Sequence, residues 1–250
     1  MFIPLLIAAA ATATNVAPAD AVARYAEAIE ASSPSALARA FQPSAIMYCT
    51  NNGVISATSQ AQWKTRLAGT PRPASSSTRL EWLDAGETTA VARVQAVRGD
   101  RLFIDYLLLA RIGADWRIVG KLCQAGARED GAGRAAADRV IDMKLEADRT
   151  WDDRLLGTSI DPRALIMTVE EGEFVAATSA EWQARYRDRK RTSSGNTFDV
   201  TSRIVESRGD IAIARWSFRS ASGDWTDRAL LMRTPDGWRM MALVFSKEKP

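Results

Sequence analysis

Two aspartates within apolar strands are the side chains best placed for proton chemistry in this sequence. Asp105 and Asp227 occupy matching positions in two similar stretches of the chain. If such an aspartate faces an apolar cavity without a partner, its pKa should rise, which makes it a candidate catalytic acid. Arg93 and Arg215, on the neighbouring strands, offer the alternative of a partly buried ion pair that fixes strand register. We favour the ion pair.

The absence of histidine limits the chemistry further. With no histidine in the chain, Ser-His-Asp, Cys-His and zinc-histidine mechanisms are excluded. The two cysteines, Cys49 and Cys123, are too far apart for a CxxC motif, but an oxidising compartment would allow a structural disulfide between them. The residues predict no metal site and no cofactor, and they favour a protein that is not an enzyme.

The composition is that of a globular protein with ordinary charge. The chain has 250 residues, of which 46% are hydrophobic and 25% charged, and this is enough for two modest cores. The formal net charge is only +3, and acidic and basic residues are interspersed along most of the chain. We therefore expect no nucleic-acid partner.

The N-terminus has the character of an export signal. Residues 1–10 form an apolar run, and small residues at 11–13 and 17–19 offer cleavage sites. We predict a signal peptide over 1–19 and an exported protein, periplasmic or secreted; the alternative is an apolar N-terminal strand or helix. The run is shorter than the roughly 20 apolar residues of a membrane-spanning helix, so no membrane span is predicted.

The rest of the chain contains an internal repeat. Residues 43–53 align with residues 162–172, and Trp63 aligns with Trp182, at one offset of 119 residues. Further along the chain the offset becomes 122, so the second copy has about three extra residues, which we expect in a loop. The repeat predicts two copies of one domain, over 20–123 and 137–250, joined by a small-residue linker over 124–136.

Each copy has helices first and strands afterwards. Ser33-Pro34 is an N-cap followed by proline, which predicts a short second helix. Ser59 and Thr178 each begin a capping box, which predicts a third helix at the same point of both copies. Four apolar strands with turns between them follow. This order predicts an α+β fold in which helices cover one face of a mostly antiparallel sheet.

A short motif before the last strand of each copy suggests a family. Residues 115–118 read Asp-Trp-Arg-Ile and residues 237–240 read Gly-Trp-Arg-Met. Together with the order of elements, these motifs resemble the nuclear transport factor 2-like superfamily, in particular its SnoaL-like and ketosteroid-isomerase-like members. The resemblance implies two tandem cone-shaped domains, each with about three helices on a curved sheet, and a small apolar ligand in the cone. Family members range from isomerases to non-catalytic binding modules, so the fold alone assigns no function.

The resemblance also implies which residues occupy the catalytic positions of isomerase-like members. Asp105 and Asp227 lie where isomerase-like members carry an acidic oxyanion-hole donor, but the position of the catalytic base holds Cys49 in the first copy and Thr168 in the second. The missing base argues against isomerase chemistry. In this fold the strands that carry Cys49 and Cys123 run close together, which implies either a disulfide or two buried thiols.

Aromatic residues present in one copy only are the better candidates for ligand contacts. The pairs Trp63 with Trp182 and Trp116 with Trp238 recur in both copies, which is typical of core residues. The predicted ligand-binding residues are Tyr25, Tyr48, Arg93, Trp216, Trp225 and Arg215. The dense basic run at 185–191 is read as a solvated helix end, with an anion-binding patch as the alternative.

Taken together, the sequence predicts an exported, non-catalytic protein that binds a small apolar ligand in one of its cones. We also predict that the two sheets pack on each other as an internal pseudo-dimer. One alternative is a SnoaL-like isomerase, cyclase or hydratase with Asp105 or Asp227 as the acid. The other is an envelope protein-interaction module with filled cones and an exposed apolar patch.

Overall fold

The computed structural model describes residues 17–51, 53–72, 74–126, 131–170 and 172–248. Residues 1–16 of the predicted signal peptide lie outside these ranges. The first helix begins at Pro18, so the second predicted cleavage site, at 17–19, falls in its first turn.

The first copy has three helices and six strands. In chain order these are α1 (Pro18–Glu30), α2 (Pro34–Ala40), β1 (Phe41–Asn51), β2 (Val54–Ser59), α3 (Gln60–Ala68), β3 (Ser76–Ala85), β4 (Thr89–Arg98), β5 (Arg101–Ile112) and β6 (Asp115–Ala125).

The second copy repeats this order. Its elements are α4 (Gly131–Thr150), α5 (Asp153–Ser159), β7 (Ile160–Glu170), β8 (Glu173–Thr178), α6 (Ser179–Thr192), β9 (Phe198–Arg208), β10 (Ile211–Ser220), β11 (Gly223–Thr234) and β12 (Gly237–Lys247). Two predicted boundaries differ from the structure. Residues 131–136 belong to α4 and not to the linker, because their alanines favour a helix. The extra residues of the second copy lengthen a helix and not a loop, since α6 has 14 residues and α3 has 9.

Local sequence signals place the helix starts. The Ser33 side chain accepts a hydrogen bond from the Ala36 amide and caps α2. Ser59 and Thr178 both form the predicted capping boxes, each with the side chain three residues later. The turns after β1 and β7 place Gly53 and Gly172 at φ of 78° and 86°, where an L side chain would be strained.

The two sheets have the same topology. The strand orders are β2-β1-β6-β5-β4-β3 and β8-β7-β12-β11-β10-β9. Only the pairs β1 with β6 and β7 with β12 are parallel; the other pairs in each sheet are antiparallel. The predicted α+β class with two tandem domains is confirmed.

The central strands of each sheet are buried on both faces. On the paired strands β4 and β5, Ala92 and Leu107 lie opposite each other and join a core formed with the helices of the first copy. The next pair, Val91 and Leu108, points the other way and joins a core shared by the two copies. The second copy has its own helix-side core as well. The sheets therefore pack against each other through the faces that the helices leave open.

Equivalent residues meet across the contact between the sheets. Arg93 of the first copy forms an ion pair with Glu206 of the second, and Arg215 of the second pairs with Asp84 of the first, at 3.3 Å between Nε and Oδ2. Arg93 and Arg215 are 122 residues apart, and so are Asp84 and Glu206. The two ion pairs are thus one interaction made twice, as an approximate two-fold axis requires.

Further contacts obey the same relation. The Tyr106 hydroxyl donates to Glu206 at 2.9 Å, and its equivalent, Arg228, donates to Asp84 at 3.0 Å. Gly120 packs directly on its own equivalent, Ala242: a Cβ added at Gly120 would lie 3.1 Å from the Ala242 Cβ. The absence of a side chain at Gly120 is what lets the two sheets approach so closely here.

The predicted pairing of Arg93 with Asp105, and of Arg215 with Asp227, is wrong. Asp105 lies opposite Val94, and Arg93 lies opposite Tyr106. The second copy shows the same register, with Trp216 opposite Asp227. A difference of one residue in register sends a side chain to the other face of the sheet. The arginines therefore face the other copy, and the aspartates face their own helices.

Within the described part of the chain, no helix is long and apolar enough to cross a membrane.

Candidate functional site

We call the space between the helices and the sheet of the first copy the first cone, and its counterpart in the second copy the second cone. The first cone contains a buried aspartate with two donors. Asp105 accepts a hydrogen bond from Lys121 Nζ at 2.5 Å and another from the Tyr25 hydroxyl. Lys121 and Asp105 side chains are each only 3% exposed. This is an ion pair that water does not screen.

The second cone contains a larger charged cluster. Lys144 Nζ lies 2.8 Å from Asp227 and 2.6 Å from Asp148, so one ammonium bridges two carboxylates. The Tyr186 hydroxyl donates to the other oxygen of Asp148. All four residues are buried.

The lysine comes from a different element in each copy. Lys121 lies on β6, and its equivalent in the second copy at the offset of 122 is Leu243. Lys144 lies on α4, and its equivalent in the first copy at the offset of 119 is Tyr25. Both copies thus neutralise the same strand aspartate, but the cation approaches it from the sheet in one and from the helix in the other.

Burial and the number of carboxylates set the protonation behaviour. Burial opposes the charged form of both lysines. For Lys121, burial outweighs the single carboxylate of Asp105, and its pKa is lowered. For Lys144, Asp148 and Asp227 together outweigh burial, and its pKa is raised. Burial raises the pKa of Asp227, Lys144 opposes this effect, and Asp148 adds to it.

Both cones contain a cavity, and the second is the larger. The first cavity has a volume of about 240 Å³, whereas the second has about 480 Å³. In the first cone, Tyr25, Phe41 and Trp63 pack against one another with ring centroids 5.3 to 6.1 Å apart. The equivalent of Phe41 is Ile160, a smaller side chain that lines the second cavity. This exchange is one physical reason for the difference in volume.

Aromatic rings form the wall of the second cavity. Trp151 contacts Tyr186 at 5.3 Å between ring centroids, and Trp182 contacts Tyr186 at 6.4 Å. Phe245 continues the row, 5.6 Å from Trp182 and 6.1 Å from Trp225. Because aromatic faces bind flat apolar groups well, this wall suits a planar ligand.

The predicted ligand-binding residues fall in three places. Tyr25 lines the first cavity and Trp225 lines the second, where their role in ligand binding stays a prediction. Trp216 is fully buried in the core of the second copy, with Lys144 Nζ 5.7 Å from its ring centroid. Tyr48 lies between the two copies and donates to the Arg163 carbonyl at 3.0 Å. Arg93 and Arg215 also lie between the copies, so the structure places these three side chains away from both cavities.

The two cysteines are joined in a disulfide. Cys49 on β1 and Cys123 on β6 are direct partners of the parallel strand pair, with 4.5 Å between their Cα atoms. Of the two alternatives that the sequence left open, the structure therefore has the bond. Both cysteines line the first cavity. Cys123 also lies opposite Asp105, so the disulfide and the buried ion pair share one wall of the first cone.

Sequence reasoning missed several residues of the site. Lys121, Lys144, Asp148, Tyr186 and Trp151 were not among the predicted site residues. One signal was available: Lys144 and Asp148 are four residues apart on the apolar face of the first helix of their copy, where a charged pair needs a partner. Nothing in the sequence shows that Lys121 reaches Asp105, because the two residues lie on different strands.

In the described ranges no three Cys, Asp or Glu side chains cluster in a way that would hold a metal ion. The groups available to a ligand are the Lys144 cluster, the indole and phenol rings, and arginines at the rim of each cavity.

Comparison with known proteins identifies the family. The family model described as "Putative lumazine-binding" matches residues 13–124 and again residues 133–246. The chain therefore belongs to this family and carries its domain twice. The predicted resemblance to the nuclear transport factor 2-like superfamily, in two tandem copies, is confirmed. No curated protein matches the chain.

Solved structures match about half of this chain each. An NTF-2 like protein of unknown function from Silicibacter pomeroyi is 19% identical, covers 46% of this chain and 94% of its own, and has a TM-score of 0.40. A protein described as a "putative ketosteroid isomerase" from Shewanella frigidimarina is 17% identical, with coverages of 46% and 98% and a TM-score of 0.39. An NTF2-like superfamily protein from Salmonella enterica is 13% identical, with coverages of 47% and 92% and a TM-score of 0.39. Matches at this level of similarity say nothing about activity.

Because the lysine comes from a different element in each copy, we predict that a lysine at the helix position of the first copy restores part of the stability that is lost without Lys121. Lys121→Leu leaves Asp105 buried without its cation and should lower the free energy of unfolding by roughly 3–5 kcal/mol. Adding Tyr25→Lys places an ammonium where the second copy has Lys144. We expect the double variant to be more stable than Lys121→Leu alone, as measured by urea unfolding. Tyr25→Lys alone is the matched control, and it should destabilise because it adds a second buried ammonium. Purely additive effects of the two substitutions would contradict the equivalence.

We predict that the tyrosines of the folded protein ionise only at a pH well above the ordinary value for this side chain. The chain has 4 tyrosines. Burial raises the pKa of each, to about 12 for Tyr48 and well above the ordinary value for Tyr25 and Tyr186, where Asp105 and Asp148 respectively add to the shift. Burial and then Glu206 raise the pKa of Tyr106. Because these phenols keep their protons in the folded state, the stability that they contribute is complete below pH of about 10 and is lost as the pH rises through their folded-state pKa values.

Absorbance of phenolate at 295 nm measures this directly. We expect no tyrosine of the folded protein to ionise near pH 10, whereas all should do so in guanidinium chloride. Phenolate appearing near pH 10 while circular dichroism still reports a folded protein would show that the phenols are not held as described.

Proposed function

We propose that the chain is a non-catalytic binding protein whose second cone holds a small, planar, largely apolar ligand. The observation that carries this proposal is the cavity of about 480 Å³ in the second cone, lined by Trp151, Trp182, Tyr186, Trp225 and Phe245. This volume falls within the range of roughly 300–1,000 Å³ that is typical of small-molecule sites. The hypothesis of an interaction module requires filled cones, and the open second cone favours a ligand instead.

The first cone serves as the structural half in this proposal. Its interior holds three packed rings and the Cys49–Cys123 disulfide, and its cavity has half the volume of the second. The two cones thus differ in the space they offer, although both follow one fold.

The family description suggests a class of ring for the ligand. Lumazine is a flat pteridine with carbonyl oxygens, so it would stack on aromatic walls and accept hydrogen bonds. The second cone offers both features, because Trp151 and Trp182 line it and their buried indole N–H groups have no hydrogen-bond partner among the described residues. A pteridine-like ring is therefore a suitable test ligand.

Proton-transfer catalysis in the second cone is the second candidate function. The observation that favours it is the carboxylate-tyrosine contact of Asp148 with Tyr186, beside Asp227, in an open cavity. Two observations oppose it: Lys144 pairs with both carboxylates, and Thr168 occupies the position where isomerase-like proteins of this fold carry their base. Incorporation of deuterium into the methyl group of 2-acetylnaphthalene in D2O, abolished by Asp227→Asn, would favour the enzyme over the binding protein.

We also propose that the protein is exported and that its two copies form an internal pseudo-dimer in place of a homodimer. The Cys49–Cys123 disulfide supports export, because such bonds persist in oxidising compartments. The reciprocal ion pairs of Arg93 with Glu206 and of Arg215 with Asp84 support the pseudo-dimer. Such an arrangement uses the sheet face that a homodimer would otherwise need.

A fluorescent probe tests ligand binding. The neutral dye N-phenyl-1-naphthylamine should bind the wild-type protein with a stoichiometry of one and with an increase in its fluorescence. Ala177 lines the second cavity, and Ala177→Phe should fill it and weaken binding by about tenfold or more, a loss of roughly 1.4 kcal/mol. We expect lumazine to displace the dye.

The matched control fills the other cone. Ala125 lines the first cavity, and Ala125→Phe should leave dye binding unchanged. Circular dichroism and urea unfolding of both variants would separate a filled cavity from a misfolded domain, since overpacking costs about 1–3 kcal/mol. If Ala125→Phe and not Ala177→Phe removed binding, the assignment to the second cone would be wrong.

The mass of the exported protein tests the other two proposals together. When the full chain is expressed in a bacterium with an intact export pathway, the periplasmic fraction should contain a shortened, disulfide-bonded protein that light scattering reports as a monomer. Full-length protein confined to the cytoplasm would contradict export. A dimer that is broken by charge-reversing substitutions on the sheet faces would contradict the pseudo-dimer.

A further inference from the structure

Two arginines at the rim of the second cone differ from their neighbours on the same helix. Arg185 and Arg189 are one turn apart on α6, are exposed, and line the second cavity. Neither forms an ion pair with any described residue. On the same helix, Arg187 pairs with Asp153 at 3.0 Å, and Arg191 pairs with Asp188. Among the arginines of α6, the two that form no ion pair are thus the two at the cavity.

The aromatic wall holds both guanidinium groups in place. Arg185 Cζ lies 4.7 Å from the ring centroid of Trp182, and Arg189 Cζ lies 4.7 Å from that of Trp151. A guanidinium that stacks on an indole keeps its N–H donors in the plane of the group, where they remain free to bind an anion. Stacking also limits the number of side-chain conformations, so less entropy is lost when an anion binds.

Among the residues that the structure describes, the buried part of the second cone has no unpaired cation that a ligand could neutralise. Lys144 is already paired there with both Asp148 and Asp227, and the rest of the lining is mostly aromatic and aliphatic. Glu170, which also lines the cavity, is exposed. A ligand group that enters the cone is therefore best uncharged, while the rim with Arg185 and Arg189 favours negative charge. The charge that the second cone favours in a ligand therefore changes from neutral in the interior to negative at the rim.

Resting on the binding function proposed above, we infer that the ligand of the second cone is an aromatic anion: a flat ring system with one carboxylate, sulfonate or phosphate group. The ring enters the cone between Trp151 and Trp182, and the anionic group stays at the rim between Arg185 and Arg189.

The first copy lacks half of this arrangement. At the offset of 119, Arg66 is the equivalent of Arg185 and lines the first cavity, but the equivalent of Arg189 is Thr70, beyond the end of α3. The lengthening of α6 therefore supplies the second arginine. Arg98 and Arg101 also line the first cavity, so the first cone has a basic rim too, but it has less space for a ring.

Two dyes that differ by one sulfonate test the inference. The dye 8-anilino-1-naphthalenesulfonate carries the same ring system as N-phenyl-1-naphthylamine plus one negative charge. In fluorescence titrations at low ionic strength, the wild-type protein should bind the sulfonate at least about tenfold more tightly than the neutral dye. This preference should decrease as salt is added, because the rim is exposed to solvent.

Variants locate the source of the preference. Arg185→Gln with Arg189→Gln should remove most of the preference for the sulfonate, measured as the ratio of the dissociation constants of the two dyes for the same variant. Lys190→Gln with Arg191→Gln removes the same charge from the same helix away from the cavity, and it should keep the preference. Arg66→Gln should also keep it.

The possible failures are distinguishable. Equal affinity of the wild-type protein for the two dyes, or an equal loss of the preference in both double variants, would overturn the inference and leave ligand binding in place. If neither dye binds, the proposed function fails, and the inference fails with it.

Discussion

The packing of the two sheets against each other is the constraint on which the rest of the structure depends. Each sheet has helices on one face, so the opposite face would expose a row of apolar side chains in an isolated copy. Val91 and Leu108 of the first copy, and Ile213 and Leu230 of the second, belong to this shared core. The reciprocal ion pairs fix the register of one sheet on the other. Because this contact uses only the faces away from the helices, it leaves the interior of each cone free to differ.

The second constraint is a buried aspartate on the equivalent strand of each copy. A carboxylate in this position requires a cation, since an unpaired buried charge costs several kcal/mol, of the order of 3–5. Lys121 and Lys144 are two solutions to the same problem from opposite walls of the cone. Lys144, on the helix, also forms an ion pair with Asp148, and Asp148 accepts a hydrogen bond from the Tyr186 hydroxyl. The difference between the two charged clusters therefore follows from the position of one lysine, with the fold unchanged.

Local and repeated features of this fold could be predicted from the sequence, whereas relations between faces could not. The capping boxes at Ser59 and Thr178 and the order of elements follow from neighbouring residues. Recurrence in both copies did not separate core tryptophans from cavity tryptophans, because Trp182 lines the second cavity and Trp216, found in one copy only, is fully buried. The pairing of Arg93 with Asp105 failed because the prediction rested on strand register, where an error of one residue exchanges the two faces. Tyr48 was assigned to a pocket for a related reason: nothing local shows which face of a sheet meets the second copy.

Duplication within one chain explains how an open cone can be maintained. A cavity lined by apolar and aromatic groups lowers stability relative to a filled core, because its walls lose contacts. The first copy has the smaller cavity and a disulfide across two of its strands, and its sheet covers that of the second copy. The stability of the first half therefore supports the second half through the shared core, and the second cone can hold a cavity and an exposed pair of arginines that packing alone does not require. This difference between the two halves agrees with the general trade-off between the stability of a protein and its binding function.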